Sequence, residues 1–168
     1  MTYLYTNSFS PKEKTAIETS PAKQNNFSTS SYTTIDYSEI AFKPTNSLDK
    51  HVIYEYTAFM GKDGSGSTTV NLMIKLEKND GNGWADFGDN TEVLVGSTHG
   101  DRRMQSIVVV RFILDSWGTS EVSLRLSGKR VNGDIRLHNL NAFGGESGAS
   151  FSGSDLFYYP HIKCYSTR

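Results

Sequence analysis

The chain is 168 residues long, about the size of one ordinary domain, and its 17 basic and 18 acidic side chains leave a formal charge of −1. That balance argues against an electrostatic nucleic-acid binder, whose basic face shows in the totals. No apolar run approaches the roughly 20 residues that insertion across a bilayer requires.

The opening Met1-Thr2-Tyr3-Leu4 has neither the basic nor the apolar region of a secretory signal. Cys164 is the single cysteine and can form no bridge within the chain, so synthesis in a reducing cytoplasm is expected.

Residues 1–31 are rich in Ser, Thr, Asn, Lys and Pro. Such a segment buries too little apolar surface to offset about 1–2 kcal/mol of backbone entropy per residue, and reads as a polar arm. Tyr3, Leu4, Tyr5, Phe9, Ile17 and Phe27 punctuate it at intervals suited to docking on a partner's surface. One short helix can be drawn, with Ser10 as N-cap and Pro11 at the first position, ending near Glu18.

From residue 32 to the end, β signals dominate. Val52, Tyr54, Tyr56, Ala58 and Met60 alternate onto one face, as do Val70, Leu72, Ile74 and Leu76. Gly61 to Ser67 reads as a flexible connection, and Asn79-Asp80-Gly81-Asn82-Gly83 as an exposed turn of residues that tolerate positive φ. Further strands are predicted around Trp84–Phe87, Thr91–Gly96, Gln105–Asp115, Glu121–Leu126, Asp134–Leu140 and Leu156–Tyr165. No long amphipathic helix appears. The fold expected is all-β: an antiparallel two-sheet sandwich of jelly-roll type over 32–168, with an extended N-terminal arm.

One strand differs from the rest. In Ile107–Leu114 both faces are apolar, with Ile107, Val109 and Ile113 on one and Val108, Val110, Phe112 and Leu114 on the other. A sandwich strand ordinarily wets one face. Either a loop covers the second face, or a neighbouring subunit does. On the subunit reading, Val108, Val110, Phe112 and Leu114, together with Phe157 and Tyr159 of the C-terminal aromatic run, line the interface.

No catalytic constellation emerges. The glycines of 61–68 lack the Gly-Lys-Ser/Thr ending of a phosphate loop, and the Asn79–Gly83 turn lacks the terminal Glu of a calcium loop. His51, His99, His138 and His161 are scattered without ligand spacing. A serine-hydrolase elbow is missing too. The expectation is a non-enzyme without metal or cofactor. Trp84 and Trp117 flank loops, where an indole can serve either as a cap on the core or as a stacking platform for a glycan.

Over Ser31–Tyr56 the sequence resembles the opening of small trimeric, TNF-like jelly-roll domains in virion proteins of tailed, notably marine, bacteriophages. A Glu39-Ile40-Ala41-Phe42-Lys43-Pro44 strand leads into Val52-Ile53-Tyr54-Glu55-Tyr56. Leu76–Asn79 and Gly83-Trp84 fit the same layout. The resemblance implies a homotrimeric virion component made in the host cytoplasm; it assigns no residue a role. Capsid decoration, cement or head-fibre function is expected, with the arm held by the major capsid protein or another virion protein. A tail adaptor or receptor-binding knob and a carbohydrate-binding module for a host-surface glycan are the alternatives.

Overall fold

The computed structural model describes residues 12–15, 25–44, 46–63, 69–88, 92–97, 105–137 and 160–167. They form strands β1 (Lys12–Thr15), β2 (Asn25–Phe27), β3 (Thr33–Thr34), β4 (Ile40–Phe42), β5 (His51–Asp63) and β6 (Val70–Asn79). Then follow β7 (Trp84–Asp86), β8 (Glu92–Ser97), β9 (Gln105–Asp115), β10 (Val122–Asn132), β11 (Asp134–Leu137) and β12 (His161–Thr167). No helix occurs among the described residues, and all pairings are antiparallel in two sheets.

Sheet A is organised on β5. β9 pairs with it along one side; β12 and then β11 pair along the other, with β1 beyond β12 and β2 beyond β11. Sheet B is organised on the β10–β6 pair, with β3 and β4 beyond β10 and β7 and β8 beyond β6. The chain changes sheet between β2 and β3, β4 and β5, β5 and β6, β8 and β9, β9 and β10, and β10 and β11, so both sheets draw strands from along the whole chain. The all-β sandwich expected from the alternation is what forms.

Period-2 patterning is the physical cause. Val52, Tyr54, Tyr56, Ala58 and Met60 of β5 are at most 2% exposed, and Val70, Leu72, Ile74 and Leu76 of β6 meet them from sheet B, equally buried. Each large apolar side chain buried this way contributes about 1.5–3 kcal/mol. The two core tyrosines keep their hydroxyls satisfied: Tyr54 donates to the Ser38 carbonyl at 2.5 Å and Tyr56 to the Asp36 carbonyl at 3.4 Å. Ser38 also bridges the gap between β3 and β4. Its Oγ accepts from the Leu126 amide at 2.9 Å, while the Ile35 amide donates to the Leu126 carbonyl at 2.8 Å, so the β10 edge stays paired where the backbone ladder lapses.

Two glycines are required by geometry. Gly133 turns the chain from sheet B into sheet A with φ +63, and a Cβ there would stand 2.6 Å from Val70 Cγ1. Gly128 lies in the inward register of β10, where a Cβ would meet Phe27 Cε1 at 3.0 Å. A glycine inside a strand marks such close approaches.

Phe27 corrects the boundary of the arm. Only 3% exposed, it belongs to the core, and β2 adds a strand to β11. The short helix drawn from Ser10 is corrected as well, since Lys12–Thr15 pairs as β1 with β12, from Lys12↔Cys164 to Thr15↔His161. A helix this short is marginal in water, whereas a sheet edge offers ready-made backbone partners. β10 runs six residues past the predicted Leu126 end; of the strand predicted over Leu156–Tyr165, His161 onward forms β12, and residues 156–159 lie outside the described residues.

Candidate functional site

The two outward faces of the sandwich differ in chemistry. Sheet A presents β9, β5 and β12 in rows set by their register: Ile113–Ile53–Tyr165, Arg111–Glu55–Lys163 and Val109–Thr57–His161. From Ile107 on, the odd residues of β9 point away from the core, leaving Ile113 67%, Val109 56% and Ile107 52% exposed. Such β-branched side chains suit a pleated surface but gain nothing from water. The single charge on this face of β9 above its Asp115 end is neutralised in place, because the Arg111 Nε donates to Glu55 Oε2 at 2.8 Å. That hydrogen bond and the carboxylate charge hold the guanidinium above its ordinary pKa.

The even residues behave otherwise. Val108, Val110, Phe112 and Leu114 are 8%, 1%, 6% and 4% exposed and pack within the chain's own core, Phe112 beside Tyr54 at 6.4 Å between ring centroids. The interface role expected for these four is therefore corrected: their face is occupied by sheet B. Arg111 was the signal in the sequence that could have oriented the strand, because a charge is far cheaper on the wet side. Phe157 and Tyr159, and the arm residues Tyr3, Leu4, Tyr5, Phe9 and Ile17, lie outside the described residues.

Sheet B carries a network of polar partners on its outward face, beside an exposed Leu94 on β8. Lys75 Nζ lies 3.3 Å from Glu77 and 2.5 Å from Asp86, and Arg125 Nε donates to Glu77 Oε2 at 2.8 Å. Lys75 and Lys129 stand over the Tyr32 ring at 4.5 and 4.4 Å, and the Tyr32 hydroxyl donates to Glu92 at 2.5 Å. Burial and then that hydrogen bond push the tyrosine pKa well up. Burial pulls the Lys75 ammonium down, but its bonds to Asp86 and Glu77 outweigh this and leave it raised. None of this network was singled out from the sequence, since its members lie on five separate segments.

Both tryptophans are engaged by their own chain. The Arg125 guanidinium stacks over Trp84 at 4.0 Å. Trp117 meets Phe42 edge-on at 6.2 Å and Phe87 at 5.8 Å, and its Nε1 donates to the Ser120 carbonyl at 3.1 Å. Trp117 packs against the edge of the core, whereas Trp84 lies under Arg125 on the outer side of sheet B. The Asn79–Gly83 segment is an exposed turn in which Asn79 Oδ1 accepts from the Gly81 and Gly83 amides at 2.9 and 3.2 Å, with both glycines at positive φ.

Among the described residues no three His, Cys, Asp or Glu side chains are grouped to hold a metal ion, and no helix is long and apolar enough to cross a membrane. No protein-family model matches the chain, and no curated protein matches it in sequence.

Proposed function

We propose that this chain is a structural protein of a bacteriophage particle, of the capsid-surface decoration, cement or head-fibre type. It assembles as a homotrimer and attaches through its N-terminal arm to the major capsid protein or another virion protein. The observation that carries the assembly reading is the outward face of sheet A, where Ile107, Val109 and Ile113 are each more than half exposed on one strand. Exposed apolar side chains grouped on one strand, on either side of the paired Arg111, suit an interaction surface. The resemblance over Ser31–Tyr56 supplies the phage context, and the spaced apolar residues of the arm supply the means of attachment.

Phe27 sets where the arm can be cut. Removing residues 1–24 spares β2 and its core contact, so the truncated body should keep its β spectrum. Co-sedimentation with parent particles lacking the protein is the test. The intact chain should pellet with them and the truncated chain should stay in solution; equal pelleting would place the attachment on the body.

A further inference from the structure

The sequence holds two Asn-Gly dipeptides, Asn82-Gly83 and Asn132-Gly133. Asparagine before glycine is the pair most open to succinimide closure, because glycine has no Cβ to keep its amide nitrogen away from the neighbouring side chain. Closure also requires the backbone between the two residues to rotate, so the fold decides which pair can react.

The two sit in opposite surroundings. Asn132 is the last residue of β10, in register with Asn71 of β6. Gly133, next to it, is so closely packed that a Cβ would stand 2.6 Å from Val70 Cγ1 and 3.2 Å from the Thr69 carbonyl. Rotating that peptide would disturb the crossing from sheet B into sheet A. Asn82 and Gly83 are both exposed, in the turn between β6 and β7, and a Cβ built on Gly83 meets nothing within 4 Å. The Gly83 amide donates to Asn79 Oδ1 at 3.2 Å, an exposed bond that water can replace. Segments of this kind open locally at little cost, whereas paired strands do not.

We propose that Asn82-Gly83 is a site of spontaneous covalent modification, deamidating through a succinimide in the folded protein and ahead of Asn132. The Gly83 nitrogen gives its proton to solvent and bonds to Asn82 Cγ. The Cγ–Nδ2 bond breaks, and the side-chain nitrogen takes up a proton and leaves as ammonia. Water then adds to one of the two ring carbonyls, opening the ring to aspartate or, with the chain routed through the side chain, to isoaspartate. Nothing is oxidised or reduced. Either product puts a carboxylate where a donor stood: Asn82 Nδ2 now donates to Asp80 Oδ1 at 3.1 Å, and the new charge would face a like charge there. Isoaspartate also lengthens the backbone between Asn79 and Trp84, the residues that close the β6–β7 ladder. The modified turn therefore loosens, and the Arg125 stack on Trp84 with it.

The test is incubation of the full-length protein in warm, mildly alkaline buffer, read by peptide mass spectrometry and by isoaspartate-specific enzymatic methylation. The same chain in denaturant is the control. There the two dipeptides should convert at comparable rates, because local sequence alone acts. In the folded chain Asn82 should convert more than about tenfold faster than Asn132, the ratio that a difference of about 1.4 kcal/mol in local opening produces. Equal conversion of the two sites in the folded chain, or faster conversion of Asn132, would overturn the proposal. So would an Asn82 that reacts in denaturant but stays intact in the fold.

Discussion

The outward faces of sheets A and B solve the same problem in opposite ways. Each lies over a core of comparable apolar content, yet sheet B covers its back with Lys75, Glu77, Arg125 and Tyr32, whose charges and rings satisfy one another. Sheet A leaves Ile107, Val109 and Ile113 of a single strand to the solvent, whereas the strands of sheet B expose Leu94 and Val131 singly. A face whose polar groups are mutually satisfied has little left to offer a partner. A face of unpaired apolar side chains gains about 25 cal/mol for each Å² it removes from water. The difference teaches that alternation locates a strand, while the chemistry of its outer residues tells whether that strand ends at water or at a neighbour.

The strongest way to sharpen the comparison is within β9 itself. Val110→Asp, at a position 1% exposed, should unfold the chain, because an unpaired buried carboxylate destabilises by more than about 4 kcal/mol. Val109→Asp, one residue away and 56% exposed, should leave the circular dichroism spectrum and melting temperature nearly unchanged while abolishing assembly. Equal effects of the two would erase the distinction between core face and interface face.

Phe27→Ala should follow, at about 3–5 kcal/mol, since the ring fills the space that Gly128 leaves open between the sheets. Denaturant unfolding would measure it; a loss below about 1 kcal/mol would mean that β2 adds little to the core. Gly133→Ala should cost about 1–3 kcal/mol, combining positive φ with a Cβ set against Val70.

Legibility from sequence tracked these same forces. β5, β6 and β9 announced themselves because burying one face of a strand imposes a period of two. β1 did not, for Lys12-Glu13-Lys14-Thr15 has no apolar pattern and its placement depends on the free edge of β12. The extension of β10 was hidden by Ser127-Gly128, which reads locally as a break and makes sense only once Phe27 arrives from a hundred residues away. The orientation of β9 was ambiguous because both faces are apolar, with Arg111 the sole hint. The network on sheet B depends on registers that no local pattern reveals.

The smallest expected effects fall on that network. Burial works to raise the Glu77 carboxyl, but hydrogen bonds from Arg125, Ser127 and Lys75 outweigh it and hold the group below its ordinary 4.5. A depressed carboxylate contributes stability that is complete above that ordinary value and fades as pH falls through the folded-state value. Glu77→Gln should therefore flatten the acid side of the stability profile by at most about 1 kcal/mol, because the cluster is partly solvated. Assembly should be untouched. If Glu77→Gln disrupts assembly while Val109→Asp does not, the roles of the two faces are reversed.

The central claim is that the outward face of β9 holds copies of the chain together. Light scattering on the full-length protein at micromolar concentration, beside Val109→Lys, tests it most directly. The account predicts a mass three times 18.7 kDa for the native chain and a folded particle of 18.7 kDa for the variant. A native chain that scatters as a single 18.7 kDa copy, or a variant that keeps the full mass of the native assembly, would contradict it.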